Sequence, residues 1–186
     1  MKKLAALMVV ATMVLSAPMV KAGAGETILL YIPNRLVDMV DMFSLTLGFG
    51  PAIGAEVQVT ESCALGGEVG CTAQIVKGIN RQYGFAVDNG WDASFLMVSA
   101  ETRERQDSIG SVKDYYFHST GVPTPNRKEP YDFHSGQLDF WAIGAKAAAL
   151  VEVKVDIHPV EIADFILGWL FIDIKDDDFG RDKIDM

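Results

Sequence analysis

Apolar and polar residues alternate along most of this chain, and the alternation keeps a single phase from Phe43 to Thr60. The odd-numbered positions of that stretch are apolar, whereas the even-numbered positions are small or polar. Because successive side chains of a strand point to opposite faces, this pattern predicts a strand with one apolar face and one small or polar face. The same phase returns in 65–75, 83–87 and 137–157.

The length of these segments predicts a strongly curved sheet. Strands of this length would extend about 50 Å if they were straight, so we expect bends at the glycines of 48–54, of 66–70 and at Gly144. We therefore predict a mainly β fold, a long and curved antiparallel meander of about five to seven strands, with closure towards a barrel as one outcome. The small, even-numbered face is expected to be concave.

Two shorter stretches of the β region give local predictions. Asp88-Asn89-Gly90 has the composition of a hairpin turn. The segment 93–105 is strand-like, and it is apolar on both faces at 95–98. That two-sided apolar middle predicts a buried strand that contacts two layers.

Helical periodicity is found on both sides of the β region. A helix is expected from Asn34, after a short apolar strand at 27–32, and another from Pro159 to Ile174. We interpret His158 as the cap of the second helix, a role that is favoured over a catalytic one. We expect both helices to be amphipathic and to pack together through their apolar faces.

The two helices carry matched polar residues. Arg35 and Glu161 occupy equivalent positions, as do Asp38 and Asp164. We predict an exposed Arg35–Glu161 pair across the helices, which would contribute about 0–1 kcal/mol. For Asp38 and Asp164, solvation on a polar helix face is favoured over a facing pair of carboxyl groups with raised pKa values.

The first 22 residues have the pattern of a secretory leader, with Lys2 and Lys3 before an apolar run that ends at Ala22. We expect cleavage there and a single β-rich domain over 23–186, with a mobile acidic tail at 175–186. Removal of three lysines and no acid takes the formal net charge from −9 to −12. An acidic chain without a basic stripe argues against nucleic acid as a partner.

Two cysteines, Cys63 and Cys71, belong to a chain that is expected in an oxidising compartment. A turn at Gly66-Gly67 would let them form a disulfide. If both lie on one strand, they are about 26 Å apart and stay unpaired. The shared phase of the alternation favours the single strand, and their spacing without nearby ligands predicts no metal site.

The segment 106–136 interrupts the alternation and is rich in proline and tyrosine. We interpret it as a flap, because a connection of this length in one domain is functional or locally disordered. Its candidate binding residues are Tyr116, His118, Tyr131 and His134. A loop that brings the two histidines together would hold a divalent metal, but ordinary aromatic cross-strand pairs are favoured over that interpretation.

Three short motifs carry a resemblance to known sequences. They are Ile32-Pro33-Asn34-Arg35, the Gly-Pro-x-x-Gly of 50–54, and His158-Pro159-x-Glu161 with Asp164-Phe165 and Gly168. In these residues the chain resembles a group of uncharacterised exported bacterial β-rich proteins. The resemblance implies export and a β-rich topology, and it implies no activity.

The function predicted from these observations is that of a non-enzymatic, exported cell-envelope protein. It would be a structural or membrane-associated β protein of the periplasm or outer membrane, with an envelope component or lipid as partner and without a cofactor. The alternative is a periplasmic protein that binds an apolar small molecule or lipid on the concave sheet face. A hydrolase or metal site in the flap ranks third, and no catalytic residue is assigned because no motif of an enzyme class is present.

Overall fold

The computed structural model describes residues 35–125 and 130–169. The predicted leader, the strand at 27–32, the acidic tail and the end of the second predicted helix lie outside the described residues. The elements, in chain order, are α1 (35–41), β1 (Phe43–Thr60), β2 (Cys63–Lys77), β3 (Tyr83–Leu96), β4 (Val98–Gly110), β5 (Tyr115–Gly121), β6 (Ile143–Ile157) and α2 (Pro159–Gly168).

The six strands form one antiparallel sheet in the order β5-β4-β3-β2-β1-β6. Each strand pairs with its neighbour along the chain, except that β6 returns to pair with β1, from Phe43↔Ile157 to Gln58↔Gly144. Among the described residues, β5 and β6 are the edges and no ladder joins them. The predicted mainly β meander with two helices is confirmed.

The sheet is strongly curved, as the strand lengths predicted. On β6, Gly144 and Asp156 would lie about 40 Å apart on a straight strand, yet a Cβ atom on Gly144 would overlap the Asp156 side chain. Leu150 lies between them with a φ of 68°. Curvature across the sheet is equally strong, since Lys146 on β6 hydrogen-bonds Asp92 on β3 at 2.8 Å. A flat sheet would separate those two strands by about 14 Å.

The curved sheet buries its polar face and exposes its apolar face. Of the alternating residues of β1, Ser44 and Thr46 point to the concave side and are buried, whereas Phe49 and Ile53 point outwards and are 73% and 69% exposed. Ten apolar or aromatic residues are buried in the described part of the chain, and the hydrophobic cluster among them consists of Val76, Ala86 and Val112. Within the described residues, the concave side is therefore not filled by a hydrophobic core.

Both helices show the same inversion, which corrects the prediction that their apolar faces pack together. On α1, Arg35, Asp38 and Asp41 are buried, while Leu36, Met39 and Val40 are about half exposed. On α2 the buried residues are Glu161, Asp164 and Gly168. The polar faces thus point to the protein interior, and the predicted solvation of Asp38 and Asp164 is wrong.

The two helices do contact each other. A side chain added at Gly168 of α2 would overlap the Arg35 guanidinium group of α1, so glycine allows this close approach. Arg35 also forms an ion pair with Asp38 at 2.8 Å. The cross-helix pair of Arg35 with Glu161 stays a prediction, but its predicted exposure is wrong because both residues are buried.

Two local predictions are wrong. Asp88-Asn89-Gly90 lies within β3 and not in a turn, because Asp88 is buried and its carboxylate accepts a hydrogen bond from Arg103 at 2.8 Å. The segment around 95–98 is the exposed tip of the β3–β4 hairpin and not a buried strand. Leu96 makes that turn with a φ of 53°, and the four tip residues, Phe95, Leu96, Met97 and Val98, are 55–70% exposed.

The predicted flap is largely regular structure. Its first residues complete β4, and β5 follows at Tyr115–Gly121. The segment 130–142 then contacts the chain before β2 and after it. The backbone N–H of Glu61 donates to the Phe140 carbonyl, and the side chain of Asn80 donates to the Gly136 carbonyl. The strand predicted from Gln137 begins later, at Ile143.

The two cysteines are free, and both lie on β2. No helix in the part of the chain that the structure describes has the length and apolar character needed to cross a membrane.

Candidate functional site

Ionisable side chains fill the concave side of the sheet. We call them the interior cluster: Glu56, Glu61, Glu68, Asp88, Asp92, Glu101, Arg103, Arg105, Lys146, Glu152, Lys154 and Asp156. Each lines one cavity or lies against its walls. Acidic residues outnumber basic ones by two to one in this set, so some carboxyl groups have no cation to neutralise them.

Asp92 is the centre of the ion pairs in this cluster. Asp92 contacts Arg103 and accepts a hydrogen bond from Lys146 at 2.8 Å. Glu68 lies beside Asp92, and Arg103 and Lys146 also form ion pairs with Glu68. Burial alone would raise the pKa of Asp92, but Arg103 and Lys146 outweigh burial and hold that pKa well below its ordinary value. Asp92 is therefore ionised at neutral pH, and it joins β3 to β4 and β6.

Other carboxyl groups of the cluster retain protons near neutral pH. Burial and, to a smaller extent, the neighbouring Glu61 carboxyl raise the pKa of Glu101 to about 8. Burial and a hydrogen bond with Asp92 raise the pKa of Glu56 to about 7. Burial also raises the pKa of Glu61, which accepts a hydrogen bond from the Tyr131 hydroxyl. Bound protons thus neutralise part of the acidic excess.

Hydrogen bonds from uncharged side chains to a carboxylate extend the cluster towards the bend of the sheet. The hydroxyl of Thr72 donates to Glu152 at 2.6 Å, and the amide of Gln74 donates to the same carboxylate at 2.9 Å. A Cβ atom on Gly48 would approach the Glu152 carboxylate to 2.6 Å. Glycine at this position therefore leaves the room that the buried carboxylate occupies.

A second set of polar residues lies where β1, β6 and the 130–142 segment meet. The hydroxyl of Ser44 lies 2.6 Å from Nε2 of His158, and Nδ1 of that ring lies 2.8 Å from Asp139. The prediction that the His158 side chain caps α2 is wrong. His158 occupies the N-cap position, but its ring makes no capping hydrogen bond and bonds to Ser44 and Asp139 instead.

The four candidate binding residues of the flap do not all share one site, although Tyr131 and His134 line the same cavity of about 520 Å³. Tyr116 and His118 lie on the outer side of β5, where His118 hydrogen-bonds Thr102 at 2.9 Å. Tyr131 lies inside, with its ring 5.3 Å from that of Phe117. His134 lies in a turn, where its backbone N–H donates to the Asp132 carboxylate. No group of three metal-ligating side chains is found among the described residues.

The interior cluster was not predicted as a site, although its signal is in the sequence. Glu56, Glu152 and Lys154 were assigned to a polar strand face, which is correct. The alternation alone does not say which face is enclosed, so their burial could not be inferred from it.

No family model, no curated protein and no solved structure matches this chain. The resemblance to exported bacterial proteins stays a prediction.

Proposed function

We propose that this protein is an exported structural protein of the cell envelope whose outer sheet face lies in the hydrocarbon of the outer membrane. The observation that carries the proposal is the inversion of the sheet, with charged side chains enclosed and large apolar side chains exposed. Proteins in water expose apolar patches of a few hundred Å² at most. Membrane sheets instead place apolar residues outside and polar residues inside.

The outer faces of β1 and β6 support a lipid environment most strongly. Every odd-numbered residue from Phe43 to Val59 and from Ile143 to Ile157 is apolar, and these residues point outwards. Transfer of one such large side chain from water to hydrocarbon is favourable by about 1.5–3 kcal/mol. The summed transfer of these two strands therefore favours a membrane over water by a wide margin.

Backbone pairing is compatible with lipid across the centre of the sheet. β1, β2 and β3 each pair with a strand on both sides, so their ladders do not present unpaired N–H and C=O groups to hydrocarbon. A groove of about 450 Å³ on the outside is lined by Val57, Leu65, Val153 and Val155. Its apolar walls suit an acyl chain.

The outer faces of β4 and β5 have a different composition. Thr102, Glu104, His118 and Thr120 lie there. We call these residues the polar stripe, and we propose that it faces water or a polar partner and not hydrocarbon. The protein would thus contact lipid with one side of its outer surface.

The cavity on the concave face does not support the alternative function, binding of an apolar ligand on that face. The concave side is lined by ionisable groups, and its cavity of about 80 Å³ is smaller than the 300–1,000 Å³ of an ordinary ligand pocket.

Cell fractionation tests the proposed function. We expect the full-length protein to sediment with outer membranes, to resist carbonate extraction, and to float with phospholipid vesicles after purification. Release by osmotic shock would contradict membrane insertion. A homodimer that stays stable without detergent would also contradict it, because a second copy would then cover the apolar face. A small molecule bound at stoichiometric amounts, detected by native mass spectrometry, would support the binding protein instead.

A further inference from the structure

Ser44, His158 and Asp139 form a continuous hydrogen-bonded chain in the interior. The Ser44 Oγ to His158 Nε2 distance is 2.6 Å, and the His158 Nδ1 to Asp139 carboxylate distance is 2.8 Å. The three residues come from the start of β1, from the junction of β6 with α2, and from the 130–142 segment. Their side chains are at least nine-tenths buried, so solvent does not compete for these bonds.

The protons of this chain have one arrangement when Asp139 is ionised and the imidazole is neutral. An ionised carboxylate only accepts hydrogen bonds, so Nδ1 of His158 carries the proton that it donates to Asp139. Nε2 then has a lone pair, and the Ser44 hydroxyl must donate to it. This is the arrangement in which a histidine withdraws the proton of a serine nucleophile.

Neighbouring bonds hold the chain in place. The backbone N–H of His158 donates to the Met42 carbonyl at 2.9 Å, and the second oxygen of Asp139 accepts the backbone N–H of Trp141 at 2.9 Å. The imidazole and the carboxylate are therefore both fixed by backbone contacts. Fixed orientation is what such a site requires before substrate binds.

A further polar group points to a ligand. Gln137 is 4% exposed and lines the same cavity as Ser44, His158 and Asp139. Its side-chain Oε1 atom has no hydrogen-bond partner among the described residues. A buried amide oxygen without a partner is costly, which indicates that a bound donor such as water completes the site. The N–H groups of the same amide are donors of the kind that stabilise an oxyanion.

We propose that Ser44 is the nucleophile of an acyl-ester hydrolase site, with His158 as general base, Asp139 as a positioning residue and Gln137 as an oxyanion donor. Ser44 Oγ bonds to the carbonyl carbon while its proton passes to His158 Nε2. The tetrahedral oxyanion accepts a hydrogen bond from Gln137. It collapses with cleavage of the ester bond, and the leaving alcohol takes the proton from Nε2. Water then attacks the acyl-serine and gives its proton to His158 Nε2, and the Ser44 Oγ atom takes that proton as the acid leaves.

The cavity restricts the substrate class. Its volume of about 80 Å³ has room for a few water molecules or a short acyl group, but not for a fatty acyl chain. The substrates are therefore esters of acids with about two to four carbons. This activity departs from the non-enzymatic function predicted from the sequence, and it does not depend on membrane insertion.

The first experiment uses the purified full-length chain and methanesulfonyl fluoride, a small reagent that sulfonylates activated serines with loss of fluoride. We expect one methanesulfonyl group per chain, located on Ser44 by peptide mass spectrometry. Absence of labelling in the wild-type protein, or labelling of another serine, would overturn the proposal whether or not any variant folds.

The second experiment measures hydrolysis of p-nitrophenyl acetate and p-nitrophenyl octanoate. The acetate should be hydrolysed faster, and Ser44→Ala and His158→Gln should lower its rate by about 10²–10⁴-fold. Ser99→Ala is the matched control, because Ser99 is also a buried interior serine and its Oγ has no partner in the described part of the chain. Equal rates for the wild type and Ser44→Ala would overturn the proposal.

Asp139→Asn tests the positioning role. We expect slower sulfonylation of Ser44 and a changed pH profile of that reaction, because an amide no longer selects the reactive imidazole tautomer. An unchanged rate and pH profile would show that Asp139 is only structural.

Discussion

The two sides of β1 differ in what surrounds them. Its even-numbered residues face a concave interior filled with ion pairs and protonated carboxyl groups, whereas its odd-numbered residues are large, apolar and exposed. In a protein that folds in water the apolar side would form the core. The difference indicates that the interior is held together by polar contacts, and it supports the proposal that the outside lies in an apolar medium.

A second difference separates the strands of the outer face. On β1 and β6 every outward residue is apolar, while β4 and β5 present the polar stripe. A chain that was surrounded by hydrocarbon on all sides would not place Glu104 and His118 there. Each of the following predictions alters either the interior cluster or the outer face of the sheet.

The largest expected effect comes from the interior cluster. Asp92→Ala removes the carboxylate that accepts a hydrogen bond from Lys146 and contacts Arg103. Both cations then stay buried without this counter-charge. We expect a loss of about 3–5 kcal/mol in the free energy of unfolding, measured by chemical denaturation in detergent. Glu104→Ala in the polar stripe is the control and should cost less than about 0.5 kcal/mol. Equal effects would show that the interior ion pairs do not stabilise the fold.

A charge on the apolar outer face should have the next largest effect. Val57→Lys places an ammonium group where hydrocarbon is proposed, which costs about 2–4 kcal/mol near the middle of a bilayer. Thr120→Lys, on the polar stripe, should change stability little. The measurement is the unfolding free energy of each variant in phospholipid vesicles. A similar small effect for both substitutions would contradict lipid contact at β1.

The protonated carboxyl groups should give an effect of a different kind, a dependence of stability on pH. The folded pKa values of Glu101 and Glu56 are about 8 and about 7, compared with 4.5 for an ordinary Glu. Because the folded protein binds protons that the unfolded chain releases above pH 4.5, stability should fall as the pH rises from 5 to 8. For the two groups together the expected loss is on the order of 3–6 kcal/mol.

Glu101→Gln tests the source of that pH dependence. The neutral amide removes one titrating group, so denaturation midpoints at pH 5 and pH 8 should lie closer together than in the wild type. Glu104→Gln, on the outer face of the same strand, should retain the wild-type dependence. If stability instead rises between pH 5 and pH 8, the carboxyl groups are not held protonated in the fold.

The sequence predicted the strands well and their environment poorly. Alternation identified β1, β2 and β6 because a period of two is a property of the strand itself. It did not identify the tip at Leu96, where four apolar residues were interpreted as buried, since apolar residues at an exposed turn and in a core look alike in the sequence. Gly90 similarly suggested a turn, although in β3 it allows the close approach of the Thr102 carbonyl.

The candidate site was harder to predict for a different reason. Ser44, Asp139 and His158 are far apart in the sequence and have no local motif, and only the fold of β1 against β6 and the 130–142 segment brings them together. His158 stood out because it precedes Pro159, which led to its interpretation as a cap. Long-range contacts of this kind follow from the curvature of the sheet and not from spacing along the chain.

The most direct test of lipid contact is tryptophan quenching by brominated phospholipids. One protein keeps Trp91, on the outer face of β3, with Trp141 and Trp169 changed to Phe. The other carries Thr120→Trp on the polar stripe with all three native tryptophans changed to Phe. In vesicles of brominated lipid we expect strong quenching of Trp91 and little quenching of the tryptophan on the polar stripe. Equal quenching, or none at Trp91, would contradict an outer face that is divided between lipid and water.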